Sequence, residues 1–307
     1  MAERPNAAVL KTAVPSGTEG SNPSASATTA ADPMSQKEAK GYVHGFTREE
    51  QQRLYRQARF VEDRVHEGLP FRRSKQMIEV GCGVGAQTEI LLRRFPELHV
   101  TGIDRSHSNL AQARSHLARM PWAEGRHEFV EADAGNLDFD ASRFDSAFLC
   151  WILEHVGDPM LVLSETRRVL RPGSPITVTE VQNATFFIEP YSPQTLAYWM
   201  AFNDYQFELG GDPFVGAKLG NLLQAVGFRD IETEVKTIHL DNRCPGERAE
   251  FIEYWTELLL SGAPGLQQAG KVSPEVVEGM KRELQQVAHS PNAVFFYSFV
   301  QARARAW

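Results

Sequence analysis

Short apolar runs alternate with helix-period stretches through the middle of the chain. MIEVGC (77–82) reads as a strand and GAQTEILLRRF after it as a helix; HVTGID (99–104) and SNLAQARSHLARM repeat the pair. HEFVEAD (127–133), FDSAFLCW (144–151) and PITVTEVQ (175–182) continue as strands. MLVLSETRRVL is a helix stopped by the Arg171-Pro172-Gly173 breaker. Further on, NLLQAVGF (221–228) is a helix ended by Gly227, while IETEVKTIHL (231–240) and NAVFFYSFVQARA (292–304) read as strands. Strands and helices alternating at this spacing predict crossover helices on both faces of an open sheet. The expected fold class is therefore α/β, a doubly wound, mostly parallel seven-stranded sheet.

Upstream, TREEQQRLYRQARFVEDRVHEGL predicts one amphipathic helix from Thr47, with Thr47 and Glu50 as a capping box and Leu54, Ala58, Val61 and Val65 along one face. Two stretches interrupt the later sheet: an aromatic segment at 186–214 and a longer one at 242–291. The expected organisation is an N-terminal extension (1–33), a helical cap (34–70), a ligand-binding core (71–185), an aromatic lid insertion (186–220) and the C-terminal part of the sheet (221–307) with the helical insertion 242–291.

Composition changes this picture mainly at the N-terminus. Residues 1–33 are rich in Ala, Ser, Thr, Pro and Gly and hold no aromatic residue, so they cannot bury enough apolar area to offset ordering. Gly20-Ser21-Asn22-Pro23 can be encoded by GGTTCGAATCC, the usual T-arm sequence of a tRNA gene. The expectation is that this segment is an upstream tRNA gene read in frame, with Met34 as the native start; the alternative is a low-complexity tail with a chance match. The chain of 307 residues carries 32 Lys+Arg against 39 Asp+Glu, a balance that argues against a nucleic-acid partner. Three scattered cysteines suit neither a disulfide framework nor a thiolate zinc site, and no His/Cys/carboxylate cluster has metal-ligand spacing, so no metal is expected. No apolar run approaches the ~20 residues a membrane span requires, which leaves a soluble cytoplasmic protein as the expectation.

The chemistry concentrates in Glu79-Val80-Gly81-Cys82-Gly83-Val84-Gly85, which ends the first strand and opens a helix. Glycines let such a backbone turn tightly and approach a ligand. Asp104 ends the second strand, where a carboxylate can accept both ribose hydroxyls of an adenosine. Glu79 beside the loop would repel a pyrophosphate but suits the ammonium or sulfonium of an amino-acid cofactor, and Asp133 stands where it can accept from an adenine amino group.

IEVGCGVG, GID, EADA, FD…WILEHV and LRPG, in this order and spacing, resemble the motif series of class I S-adenosylmethionine-dependent methyltransferases over about residues 77–182. YVHGF…REEQQRL (42–54) is similar to a segment preceding the fold in a bacterial and archaeal subgroup of UbiE-like methyltransferases. The resemblance implies a Rossmann-like methyltransferase fold and S-adenosylmethionine as cofactor. It places Gly81, Gly83 and Gly85 along the methionine moiety, Asp104 on the ribose and Asp133 on the adenine, with Glu79 organising the methionine end. Arg105 and Ala134 would flank the adenine, Cys150 and Trp151 would line the floor beneath the methionine with His155 beside it, and Tyr42 and His44 would close over the cofactor.

Methyl transfer from a sulfonium is an in-line displacement, so a base is needed only if the acceptor arrives protonated. The candidates for catalysis are His155, Glu180 and Asn183, the last two at the ligand side of the fifth strand. Tyr42, His44, Glu180, Asn183, Phe187, Tyr198, Trp199 and Asn203 are the candidates for substrate contact; the aromatics among them could equally be the packing core of the insertion. Cys82 reads as a small packing residue ahead of a reactive thiol. The expected function is methylation of a small molecule at N, O, S or C, with a lean towards a nitrogen-containing metabolite because Glu180, Asn183 and Asn203 could grip a cation. Other readings are C-methylation of a quinone-like or isoprenoid acceptor, a nicotinamide-dependent oxidoreductase, which Glu79 and Asp133 count against, and a non-catalytic cofactor-binding protein. The oligomeric state is not legible.

Overall fold

In the computed structural model, residues 43–44 and 47–307 are described. Segment 1–33 and Tyr42, with their expected roles, lie outside them. The first helical stretch forms α1 (Arg48–Phe60) and α2 (Glu62–His66), broken at Val61 instead of running on as one helix. Thr47 caps α1 as expected, accepting from the Glu50 N–H. Glu50, however, does not complete a capping box: its carboxylate turns to Arg53, one helical turn along.

Five parallel strands follow in the expected alternation: β1 (Gln76–Val80), β2 (His99–Asp104), β3 (His127–Glu131), β4 (Ser146–Cys150) and β5 (Pro175–Val181). Between them run α3 (Ala86–Arg94), α4 (His107–Leu117) and α5 (Pro159–Val169). β6 (Phe187–Glu189) and α6 (Pro193–Glu208) come next, then α7 (Leu219–Ala225), β7 (Arg229–Leu240), α8 (Pro245–Gln268), α9 (Pro274–His289) and β8 (Val294–Arg305). The order is β3-β2-β1-β4-β5-β8, with β7 on the far edge of β8 and β6 continuing beside β5. The sheet thus has eight strands, not seven. The extra one is made by Phe187–Glu189 of the aromatic segment, pairing with the long β8.

Alternate strand residues face opposite layers, as the period of two requires. Met77, Val100, Phe148 and Phe299 join a core with α2, α3 and α4 and with the insertion helices α6, α8 and α9. Ile78, Ile103, Leu149 and Val178 face α5 and α7. Among the described residues no helix is long and apolar enough to cross a membrane.

Candidate functional site

The loop after β1 is tied to the neighbouring strand: Gly81 and Cys82 both donate to the Ile103 carbonyl. Gly81 and Gly83 have φ of +75° and +52°, where a side chain is strained. Their steric reasons differ. A Cβ on Gly81 would come within 2.6 Å of Ile152, so this glycine makes room for the loop after β4. A Cβ on Gly83 would meet nothing within 4 Å, because Gly83 stands on the wall of a cavity of about 500 Å³. Gly85 packs under Ala113 and Leu117 of α4 and is not on that wall, which corrects its expected place along the ligand.

Asp104, at the end of β2, accepts from Gly83 N–H (2.9 Å) and Ser106 N–H (2.8 Å). Burial pushes its carboxyl above the ordinary value, and those two donors oppose the shift. Each oxygen keeps a second lone pair, so the carboxylate can still accept a ribose diol. Arg105, Asp133 and Ala134 line the same end of the cavity, and Asp133 is shaped by accepting from Gly135 N–H at 2.8 Å. Glu79 lies behind the loop, buried and off the wall, accepting from the Thr88 hydroxyl at 2.5 Å. Burial raises its carboxyl from 4.5 to about 8. A folded-state value above the unfolded one stabilises the fold at low pH, and that contribution disappears as pH rises through about 8. Urea unfolding of the free protein should therefore show stability falling across this window, and Glu79→Gln should flatten the fall. Parallel curves for the two proteins would show that the carboxyl is ionised throughout.

The end of β4 holds the most constrained backbone. Trp151 has φ +56°, a costly conformation for a bulky residue, and it faces the cavity together with Cys150 and His155. Glu180 explains how this loop is held. Its carboxylate is fully buried and accepts from the N–H groups of Ile152 (3.0 Å), Leu153 (2.7 Å) and Glu154 (3.3 Å). It does not line the cavity, so the expectation that it touches substrate is not met; the side chain is used on the protein's own backbone. Glu180→Ala would strand up to three buried donors and is expected to cost about 3 kcal/mol or more of stability. Denaturant unfolding measures this, and an unchanged midpoint would mean that the loop holds itself.

The other end of the cavity is aromatic. Trp199 and Phe202 come from α6, Phe251, Tyr254, Trp255 and Leu258 from α8, and Tyr297 and Phe299 from β8. Trp199 and Phe202 lie parallel with centroids 5.7 Å apart, and Trp255 packs on Tyr297 at 5.0 Å. The α8 residues were not singled out from the sequence, although 251, 254, 255 and 258 follow helix spacing. Asn183 reaches the wall, but its amide donates to Asn203 (2.8 Å) and accepts from the Tyr297 hydroxyl (2.8 Å). Asn203 stands behind it, off the wall. Two expected substrate contacts are corrected outright. Phe187 is 52% exposed on β6, and Tyr198 is buried in the core with its hydroxyl on the Leu259 carbonyl.

His44 and His155 meet edge to face on the wall, with centroids 6.4 Å apart, and His44 Nδ1 is 2.6 Å from the Ser261 hydroxyl. Burial lowers both imidazoles below the ordinary 6.5, which keeps them in the neutral, proton-accepting form. Burial also pushes the Cys82 thiol well up, away from reactivity. Among the described residues no group of three His, Cys, Asp or Glu side chains could hold a metal ion.

A glycine loop at the carboxyl end of β1, an acid at the end of β2 and a cavity lined by both are the features of a nucleotide-binding doubly wound protein. The Methyltransferase domain family matches residues 78–178. The chain is 32% identical to the O-methyltransferase cnsE of Penicillium expansum, over 62% of its own length and 67% of the relative's. It is 30% identical to the O-methyltransferase rstn1 of Aspergillus nomiae, over 55% of its own length and 70% of the relative's. The fold is shared with the Haloferax volcanii protein solved in complex with the Trm112 methyltransferase activator, at a TM-score of 0.52 and 13% identity over 91% and 99% of the two chains. The chain belongs to the class I S-adenosylmethionine-dependent methyltransferases, and S-adenosylmethionine is its cofactor. The nicotinamide-dependent alternative is set aside with that assignment.

Proposed function

We propose that this methyltransferase acts on a hydroxyl oxygen of a small, flat, weakly charged acceptor such as a phenol or enol. The observation that carries this reading is one continuous cavity of about 500 Å³ whose walls hold both the Asp104 cradle and the aromatic chamber with its two neutral histidines. In this reading Gly83, Asp104, Arg105, Asp133 and Ala134 hold the cofactor, with Cys150 and Trp151 beneath it. When bound, S-adenosylmethionine supplies an electrophilic methyl group on sulfur with a neutral thioether as leaving group. The aromatic walls orient the acceptor ring and exclude water. His155 takes the hydroxyl proton as the carbon–sulfur bond breaks and the carbon–oxygen bond forms.

Support also comes from the two fungal relatives, which are O-methyltransferases. The lean towards a cationic nitrogen acceptor loses the residues it relied on, since Glu180 is spent on backbone and Asn183 and Asn203 are bonded to each other. The test incubates the full chain with methyl-labelled cofactor and a panel of phenols, enols, amines and quinols, with mass spectrometry of the products. O-methyl products are expected; exclusive N- or C-methylation would overturn the reading.

A further inference from the structure

The acceptor chamber contains an arginine, and an arginine on a pocket wall ordinarily reads a carboxylate through its planar fork. Arg53 of α1 is 3% exposed and lines the cavity. Its fork is already occupied. Nε and Nη2 lie 2.7 and 2.5 Å from the two oxygens of Glu50, and Nη1 donates to Gln57 at 2.7 Å. Glu50 is equally buried and lies behind Arg53, off the wall. Both residues sit three apart on one helix, so the pair forms within α1 and needs no ligand to assemble.

We propose that the Glu50–Arg53 pair is a specificity device that closes the acceptor chamber to carboxylates and admits neutral acceptors. The inference rests on the hydroxyl-acceptor reading and narrows it. Among the described residues, the charges at this end are Arg53 against Glu50 and Glu154, the latter on the wall and accepting from Gln206 at 2.9 Å. His44 and His155 are held towards their neutral forms by burial. Asp104, Asp133 and Asp158 line the wall on the cofactor side, and Arg105, whose charge also reaches His155, has the neighbouring Asp104 as counter-charge. An acceptor carboxylate entering the chamber would lose its water without gaining an uncompensated cation, and Glu154 would repel it. A neutral acceptor of the same shape meets no such penalty. Glu50 accordingly masks what would otherwise be an anion site.

The test is calorimetric titration of the full chain, saturated with S-adenosylhomocysteine, using 4-hydroxybenzamide and 4-hydroxybenzoate. Both probes carry the phenol that the functional reading requires, and they differ in charge but little in size. The amide is expected to bind about tenfold or more tighter. In Glu50→Gln the unmasked Arg53 should tighten the benzoate by about tenfold or more, closing or reversing the gap. Arg53→Gln, which leaves Glu50 without its cation, should widen the gap and keeps the test decisive if Glu50→Gln fails to fold. Equal binding of the two probes by the wild type overturns the inference alone, as does a gap that neither substitution moves. Failure of both probes to bind overturns the phenolic-acceptor reading on which it stands.

Discussion

Replacing His155 by asparagine is expected to lower kcat for a hydroxyl acceptor by about 10²–10⁴-fold, the range of general-base catalysis. S-adenosylhomocysteine affinity should fall far less. Burial lowers the imidazole below 6.5, although the neighbouring Glu154 works in the opposite direction. The neutral, basic form is present above that lowered value and is lost as pH falls through it. Wild-type kcat/KM should therefore show an acid limb below the ordinary histidine range and a plateau through neutral pH. The variant should lose this limb and climb instead with ionisation of the acceptor itself. A profile that keeps the acid limb after substitution would assign the titration elsewhere, with His44, in edge contact with His155, the next group to test.

Asp104→Ala is expected to weaken S-adenosylhomocysteine binding by about 10²–10³-fold. Two costs combine. The ribose loses its proposed acceptor, and the Gly83 and Ser106 N–H groups lose the carboxylate that fixes the loop wall. Hydrogen bonds to a charged group contribute about 1.5–3 kcal/mol each, so losing two or three of them is enough for that range. Asp104→Asn keeps the shape but offers only one oxygen, and should fall between wild type and alanine. Calorimetric titration gives the affinities, and an alanine variant that binds within threefold of wild type would refute the ribose assignment.

The strand–helix alternation of residues 77–182 was readable because parallel buried strands and crossover helices leave different periods in the sequence. That Gly83, Asp104 and Asp133 share one cavity wall was readable for a similar reason: they sit at or just past strand ends, where position along the chain nearly fixes position in space. Glu180 was misread by the same logic. It does stand at the ligand end of β5, but the backbone of Ile152–Glu154 turns over it and takes both oxygens. Phe187 and Tyr198 fail because aromatic density says nothing about direction; β6 pairing turns one outward while the other fills the space between α6 and α8.

The sequence by itself determined the fold class and the cofactor, since these depend on local periodicity and on motifs within one strand–loop–helix unit. Only the tertiary structure decided the aromatic chamber proposed for the acceptor, because its walls meet from α1, α6, α8 and β8, separated by up to two hundred residues or more along the chain. Side chains that far apart in sequence carry no mutual spacing to read. Which of them face the cavity, and which spend their polar atoms on one another, is settled by packing alone.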